Sequence, residues 1–217
     1  MLRRLLALGV LAIVAALAVP AVALAFEVHV RIEGATRTIF GATEPLVTPY
    51  VGSLPVADGG TLDLKEPTAL GTLESASLAG EFFYRINSTS FGPYVSQIGR
   101  LPGEGANGWV YKVNGLSPPV GADAYVVKAG DEVLWYYAAF TDAGGPPTLD
   151  LVRSGGRCYG AVAVDDAGKR SPAAGVVFRL DGRSVSSANG RICPSGHWHQ
   201  LRATKEGAIR SQVVVHR

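Results

Sequence analysis

Cysteine and histidine are scarce in this sequence, which has two Cys and four His among its 217 residues. A structural zinc site needs about four ligands, most often of these two types. His197 and His199 would share one face of a strand, because side chains alternate along a strand, but only the distant His216 could join them. The sequence therefore predicts no metal site, and we interpret these imidazoles as surface or domain-interface groups.

Sequence patterns of catalytic sites are also missing. The chain has no Gly-x-Ser-x-Gly motif, which would place a serine nucleophile on a sharp turn. The glycines of segment 103–108 precede a predicted strand, whereas phosphate-binding loops open a helix. The adjacent carboxylates Asp131-Glu132 and Asp165-Asp166 lie beside turn glycines and would point to opposite faces of a strand. We can assemble no set of acid, base and nucleophile, so we predict no catalytic residues and no enzymatic activity.

The first 25 residues have the composition of a secretory signal peptide. Arg3 and Arg4 precede an uncharged apolar run from Leu5 to Val19, and small residues at 23–25 supply a cleavage site. An uncleaved membrane anchor is the alternative, because the uncharged stretch is long enough to span a bilayer. A proline and an Ala-x-Ala ending fit a signal peptide better. We therefore predict a secreted or cell-envelope protein that contacts a membrane only if this segment is retained.

The two cysteines, Cys158 and Cys193, lie far beyond the predicted signal peptide. An even number of cysteines in an exported chain predicts a disulfide. A catalytic thiol is the alternative, because His197 is close to Cys193 in sequence and such a thiol needs a histidine partner. We favour the structural bridge.

Removal of residues 1–25 leaves 18 basic and 18 acidic residues, so the mature chain lacks the positive charge that general nucleic-acid binding requires. Residues 26–144 carry 7 basic and 13 acidic side chains, whereas residues 145–217 carry 11 and 5. This asymmetry could join two domains, could give the second half affinity for an anionic envelope polymer, or could be a chance property of solvated surfaces. The arginines that would act in either role are Arg179, Arg183, Arg191, Arg202 and Arg210.

The order of patterns predicts two domains, 26–144 and 145–217, separated at the glycine and proline residues of 144–147. In the first domain, segment 26–33 alternates as a half-buried strand does, and 36–40 can return beside it. Pro67-Thr68 opens a predicted helix, and Gly80 stands where a left-handed residue would end it. Segment 88–108 is rich in Ser, Gly and Pro, and we interpret its glycines as a flexible hairpin connection that delivers Trp109 to the sheet.

Residues 108–140 are the most informative part of the first domain. Breaks at Asn114-Gly115 and Gly130-Asp131 predict three strands joined by tight turns, and Gly115 should have a positive φ. Alternation places Trp109 and Tyr111 on one face of their strand and Trp135 and Tyr137 on one face of theirs. Large aromatics of this kind form either the core of a small domain or a platform for a ligand.

These residues resemble the transcobalamin-like C-terminal domain family. The resemblance covers residues 26–142 and rests on Trp109, Tyr111, Asn114, Gly115, Tyr125, Gly130, Asp131, Trp135 and Tyr137. It implies a β-grasp-like α+β fold that binds a small ligand such as cobalamin, with Trp109, Tyr111, Trp135 and Tyr137 as the candidate contacts. In that family a helical barrel covers the other side of cobalamin, and no barrel is predicted in this sequence.

The second domain has seven short strand candidates separated by turn residues, which is the pattern of an antiparallel sandwich. They are 149–153, 157–164, 175–180, 183–187, 191–194, 198–204 and 209–216. This half resembles the immunoglobulin-like or prealbumin-like modules of bacterial surface proteins in its turn-and-strand patterns at 164–168, 174–178, 180–182, 189–191 and 201–204.

Together these patterns predict a mainly β protein, in which an immunoglobulin-like sandwich follows a β-grasp-like domain. The predicted function is an exported, non-enzymatic binding protein that holds a small ligand on an aromatic face. The alternative is a structural or adhesive envelope protein with no small-molecule ligand. A concave aromatic site would favour the first function, and a fully buried aromatic set would favour the second.

Overall fold

The computed structural model describes residues 25–141, 144–187 and 189–216. The predicted signal sequence therefore lies outside the described residues, except for Ala25. The described chain is mainly β and contains one α-helix. Within this part of the chain, no helix is long and apolar enough to cross a membrane.

The N-terminal half (residues 26–144) and the C-terminal half (residues 145–217) each have their own buried hydrophobic cluster. The elements described in the N-terminal half are β1 (Val28–Glu33), β2 (Thr38–Phe40), β3 (Leu46–Val47), β4 (Gly52–Pro55), β5 (Thr61–Leu64), α1 (Ala69–Gly80), β6 (Tyr84–Thr89), β7 (Gly92–Ile98), β8 (Leu101–Pro102), β9 (Asn107–Val113) and β10 (Glu132–Ala139). Those described in the C-terminal half are β11 (Thr148–Arg153), β12 (Tyr159–Val164), β13 (Arg170–Pro172), β14 (Val177–Leu180), β15 (Arg183–Ser186), β16 (Arg191–Ile192), β17 (Gln200–Thr204) and β18 (Val214–Val215).

The central sheet of the N-terminal half has the strand order β2-β1-β10-β9, and β3 also pairs with β1. β1 and β10 run parallel, whereas β2 and β9 are antiparallel to their neighbours. Val30 lies beside Val133 and Ile32 beside Trp135 in the parallel pair. These apolar side chains are buried in the same cluster as Leu73 of α1, so the helix covers this face of the sheet.

Helix α1 begins where the sequence predicts but ends one residue later. The Thr68 hydroxyl accepts a hydrogen bond from the Gly71 N–H at 3.2 Å, which is the usual N-cap arrangement. The left-handed residue at the other end is Glu81 (φ 52°), so the prediction of Gly80 was wrong. Gly80 is needed for space instead, because a Cβ atom there would lie 2.6 Å from Cδ2 of Phe40.

Segment 88–108 contains more regular structure than the predicted hairpin connection, because β7 pairs with β6 and also with β8. The prediction of a middle strand between Gly115 and Gly130 was wrong. Segment 121–128 is not a strand between β9 and β10, which pair directly with each other. Instead, two of its carbonyl groups accept hydrogen bonds from the first turn of α1. Tyr125 O accepts the Ala69 N–H at 2.9 Å, and Ala122 O accepts the Leu70 N–H at 2.8 Å. Free N–H groups at a helix start need such partners.

The tight turn between β9 and the following segment has the predicted geometry. Asn114 has φ 52° and Gly115 has φ 81°, so both central residues are left-handed. The Asn114 side chain accepts the Glu132 N–H at 2.9 Å and donates to Asp131 Oδ1 at 2.8 Å. The turn is thereby tied to the start of β10.

The C-terminal half contains two antiparallel sheets, β11-β12-β13 with β16 on β12, and β15-β14-β17-β18. Leu149, Phe178, Trp198 and Leu201 are buried between them. The sequence analysis did not predict β13. Of the predicted strand 209–216, only β18 forms, and Ile209 pairs instead with Thr148 in an isolated parallel bridge. The predicted Cys158–Cys193 disulfide is present and closes a separation of 35 residues. In the chain-entropy treatment such a loop stabilises a fold by about 4 kcal/mol.

The face of the central sheet opposite the helix packs on the C-terminal half. The sequence predicts β1 as a half-buried strand, but Arg31 and Glu33 on its polar face are also buried. Arg31 donates to the Arg210 carbonyl oxygen at 2.5 Å, and Glu33 pairs with Arg202 and Arg210. Burial of charged groups is tolerated because each finds a partner of opposite charge.

A candidate ligand-binding cavity

The four predicted aromatic side chains share one face of the β9–β10 ladder. In the antiparallel register Trp135 lies opposite Tyr111, and Tyr137 lies opposite Trp109. The ring centroids of the two pairs are 5.4 Å and 5.5 Å apart. Aromatic rings at such distances stabilise each other as well as the sheet.

A cavity of about 230 Å³ lies beside three of these rings. Trp109, Tyr111 and Trp135 line it, whereas Tyr137 does not, because its hydroxyl donates to the Pro102 carbonyl outside the cavity. Trp109 and Trp135 are nevertheless 7% and 2% exposed, so they are core residues that also form a cavity wall. The remaining lining residues are mostly apolar: Leu70, Ile86, Pro93, Tyr94, Val95, Val110, Ser117, Pro118, Gly121, Ala122, Asp123 and Phe140.

The polar atoms of the three rings differ in what they can offer a ligand. Trp109 Nε1 donates to Leu101 O at 2.9 Å, and Tyr111 Oη donates to Val120 O at 2.8 Å. Trp135 Nε1 is buried and has no hydrogen-bond partner among the described residues. A buried N–H without an acceptor is costly. The cavity is therefore lined by ring surface of Trp109, Tyr111 and Trp135, and Trp135 Nε1 is a buried donor whose hydrogen-bonding capacity is unused among the described residues.

The hydroxyl of Tyr111 remains a neutral donor. Burial raises the pKa of Tyr111, and the neighbouring Tyr125 and Asp123 raise it further because a phenolate would be repelled there. The bond from this hydroxyl to Val120 therefore persists over the physiological pH range. It holds segment 116–123, which contributes five of the lining residues, against the aromatic sheet.

Several lining residues were missed by the sequence analysis. Tyr94 and Val95 belong to β7, inside the segment predicted to be a flexible connection, and Pro93 obscured that strand. Val95 and Ile98 in this segment favour a strand, and they were the signal from which β7 could have been predicted. Ala122 and Asp123 lie in the segment predicted to be the middle strand. Phe91, at the tip of the β6–β7 hairpin, is fully exposed.

The histidines of the C-terminal half do not form the strand face that alternation predicts. β17 begins at Gln200, after both His197 and His199. Trp198 between them is buried and packs against His216, with ring centroids 4.8 Å apart. In the described part of the chain, no group of three or more His, Cys, Asp or Glu side chains could hold a metal ion.

Comparisons with known proteins match part of the chain. The family model described as "Domain of unknown function (DUF4430)" matches residues 68–139, which include all four predicted aromatic residues. No curated protein matches the chain. Seven solved chains do, among them a Ruminococcus gnavus protein provisionally described as metal-binding. That match is 13% identical, covers 52% of this chain and 97% of the other, and has a TM-score of 0.34, which does not establish a shared fold.

Proposed function

We propose that the protein is an exported, non-enzymatic binding protein whose N-terminal domain, residues 26–144, holds a small ligand beside Trp109, Tyr111 and Trp135. The observation that carries this proposal is the apolar cavity lined by these three rings, together with the buried Nε1 of Trp135, which has no hydrogen-bond partner among the described residues. Apolar concave sites with a few polar groups are the usual form of small-molecule sites. Export is supported by the disulfide of the C-terminal half, since such bridges persist in oxidising compartments.

The proposal includes the finer fold assignments. A transcobalamin-like, β-grasp-like N-terminal domain is supported by the mixed sheet β2-β1-β10-β9 with one helix on one face. An immunoglobulin-like C-terminal domain, residues 145–217, is supported by two antiparallel sheets that enclose a buried tryptophan, Trp198. Both assignments agree with separate hydrophobic clusters in the two halves.

The size of the cavity limits the ligand. Its volume of about 230 Å³ is below the range of about 300–1,000 Å³ that is typical for sites of drug-sized ligands. A single ring or a short chain would enter, and cobalamin would contact the cavity only through a peripheral group. An acceptor such as a carbonyl oxygen on that ring would complement Trp135 Nε1. The ligand class we propose is therefore a small apolar compound with one hydrogen-bond acceptor.

A titration with three compounds tests this function on residues 26–217. Acetophenone and ethylbenzene have nearly the same shape, but only acetophenone has a carbonyl acceptor; cyanocobalamin is the third. The chain has three tryptophans, so their indole N–H resonances in a ¹⁵N-labelled sample report on binding, with Trp→Phe variants for assignment. We expect acetophenone to move the Trp135 signal and to bind about fivefold more tightly than ethylbenzene, a factor equivalent to about 1 kcal/mol.

Matched variants locate the binding. Ala122→Leu fills the cavity and should weaken binding of both aromatic compounds by at least about tenfold. Ala124→Leu is the control, because Ala124 lies two positions after Ala122, is exposed and does not line the cavity. Trp135→Phe should remove the preference for acetophenone, whereas Tyr137→Phe should keep it. The proposal is wrong if neither aromatic compound binds saturably, or if Ala122→Leu binds both as well as the native chain does.

The alternative, a structural or adhesive envelope protein, is favoured by the buried ion pairs between the halves, because a spacer must be rigid. Arg202 and Arg210 are engaged in those pairs with Glu33. Of the five arginines predicted to bind an anionic polymer, the exposed Arg179, Arg183 and Arg191 are therefore the ones that do not pair with Glu33.

A further inference from the structure

One wall of the cavity comes from a segment with no place in the sheets. We call residues 116–123 the wall segment; Ser117, Pro118, Gly121, Ala122 and Asp123 of this segment line the cavity. On the side of the N-terminal half, the segment is held by Tyr111 Oη at Val120 and by the Leu70 N–H at Ala122. Both of these contacts are in its second part. At its beginning, Leu116 exchanges two backbone hydrogen bonds with Val113, and the next residue, Ser117, contacts the C-terminal half.

The beginning of the wall segment is held by Asp166 of the C-terminal half. Ser117 Oγ donates to Asp166 Oδ1 at 3.0 Å, and the Ser117 N–H donates to the Asp166 carbonyl oxygen at 3.0 Å. The preceding residue, Leu116, forms an antiparallel bridge with Ala167. Three contacts at two consecutive residues, Leu116 and Ser117, therefore join a cavity wall of one half to a turn of the other.

The Asp166 carboxylate is itself fixed by two further donors. Lys112 Nζ lies 3.1 Å from Oδ1, and the Gly145 N–H donates to Oδ2 at 2.8 Å. The Lys112 side chain is fully buried, and it also donates to the carbonyl oxygens of Val164 and Asp165. Lys112 follows the cavity-lining Tyr111 on β9, but it points to the opposite face of the sheet. The same carboxylate thus neutralises a buried ammonium and positions Ser117.

We propose that Asp166 is a positioning residue for the cavity, and that the C-terminal half completes a binding site whose other walls belong to the N-terminal half. This proposal rests on the proposed function, because a positioning role requires that the cavity binds a ligand. The contacts of Asp166 themselves do not depend on a ligand. Without the carboxylate, Ser117 loses its side-chain acceptor and Lys112 becomes a buried charge with no carboxylate partner. The beginning of the wall segment would then keep only backbone contacts, those of Leu116 with Val113 and Ala167 and that of Ser117 with the Asp166 carbonyl oxygen. The Ser117 side chain on the cavity wall would be fixed less firmly.

Hydrogen exchange and ligand binding test the role together. In Asp166→Ala we expect peptides of the wall segment to exchange at least about tenfold faster, and the Kd of acetophenone to rise at least about tenfold. Asp150→Asn is the control, because Asp150 is a carboxylate of the same half that binds Arg170 and Gln212 of that half. Peptides of β1, which contact the C-terminal half through Glu33, should stay protected in Asp166→Ala. Faster exchange in β1 as well would mean general undocking and would overturn a specific positioning role.

Ser117→Ala provides the second arm if Asp166→Ala fails to fold. It removes one hydroxyl and leaves the Lys112 and Gly145 contacts of Asp166 in place. We expect faster exchange of the wall segment and weaker acetophenone binding, both smaller than in Asp166→Ala. Native exchange rates in both variants, or in Ser117→Ala alone if only that variant folds, would overturn the positioning role. Failure of the native chain to bind acetophenone would instead disprove the proposed function, and the exchange data would still decide the role of Asp166.

Discussion

Arg210 reaches from the C-terminal half to Glu33 in the N-terminal half, with Nη2 2.8 Å from Oε2 of a carboxylate that is completely buried. Arg202 contacts the other oxygen, Oε1, and Arg31 lies 3.4 Å from the same atom. The Thr38 hydroxyl is 3.1 Å from both oxygens. Of the five arginines in which the sequence concentrates positive charge, two therefore join the halves. The charge asymmetry between the halves has a structural consequence at this interface.

Replacement of Glu33 by Gln should destabilise the protein strongly. Gln keeps the volume but leaves Arg202 and Arg210 without a counter-charge, whereas Arg31 keeps Glu44 as a partner. Loss of one partner of a buried pair typically costs about 3–5 kcal/mol. We expect the free energy of unfolding in urea to fall by at least about 3 kcal/mol. Asp63→Asn is the control, because Asp63 pairs with Lys65 on the surface, where such a pair contributes at most about 1 kcal/mol. Equal effects of the two substitutions would contradict the role of Glu33.

The burial of Glu33 shows why alternation along a strand predicts only part of a fold. The pattern of Val28, Val30 and Ile32 correctly identifies the face that packs on the helix. It cannot identify what covers the opposite face, because that depends on residues of the C-terminal half, more than 100 positions away in sequence. A contact between the halves was one of three interpretations of their opposite charges, and the charges did not identify the carboxylate at its centre.

The turn at Gly115 should not tolerate a β-branched residue. Gly115 has φ 81°, and a Cβ atom there would lie 3.1 Å from Cγ1 of Val164 in the C-terminal half. Gly115→Val should therefore lower the free energy of unfolding by at least about 1 kcal/mol through backbone strain. Val120→Thr is a control at an exposed position outside the turn. A melting temperature of Gly115→Val equal to that of the native chain would show that the turn relaxes without strain.

The aromatic floor of the cavity could be predicted from sequence, whereas its wall could not. Period-two alternation correctly placed Trp109 with Tyr111 and Trp135 with Tyr137 on one face of their strands. The direct pairing of β9 with β10 was not predicted, because residues 114–131 separate the two strands. The wall segment has no periodicity, and its position depends on carbonyl groups that accept helix N–H groups and on Asp166 from the other half. The sequence analysis placed Asp166 beside a turn glycine and assigned it no catalytic role, and nothing near it in sequence indicated a partner on β9.

The stability that Asp166 contributes should disappear in acid. Burial alone would raise the pKa of Asp166, but the Gly145 N–H, the Lys112 ammonium and the Ser117 hydroxyl outweigh it and hold the pKa below its usual value. A carboxyl group whose pKa is lower in the folded state stabilises the fold above its unfolded pKa of about 3.9, and loses that effect as pH falls through the folded pKa. We therefore expect stability differences between the native chain and Asp166→Asn to change below about pH 4.

Urea unfolding of the native chain and Asp166→Asn at pH 6, 5, 4 and 3 measures this difference directly. Every other carboxyl group titrates in both proteins, so their contributions largely cancel when the two unfolding free energies are subtracted. The difference should be constant at pH 6 and 5 and should shrink as pH falls to 4 and 3, because a protonated Asp carries the same charge as Asn. A difference that stays constant down to pH 3 would mean that the Asp166 charge does not stabilise the fold, and that Lys112 depends on the carbonyl oxygens of Val164 and Asp165 instead.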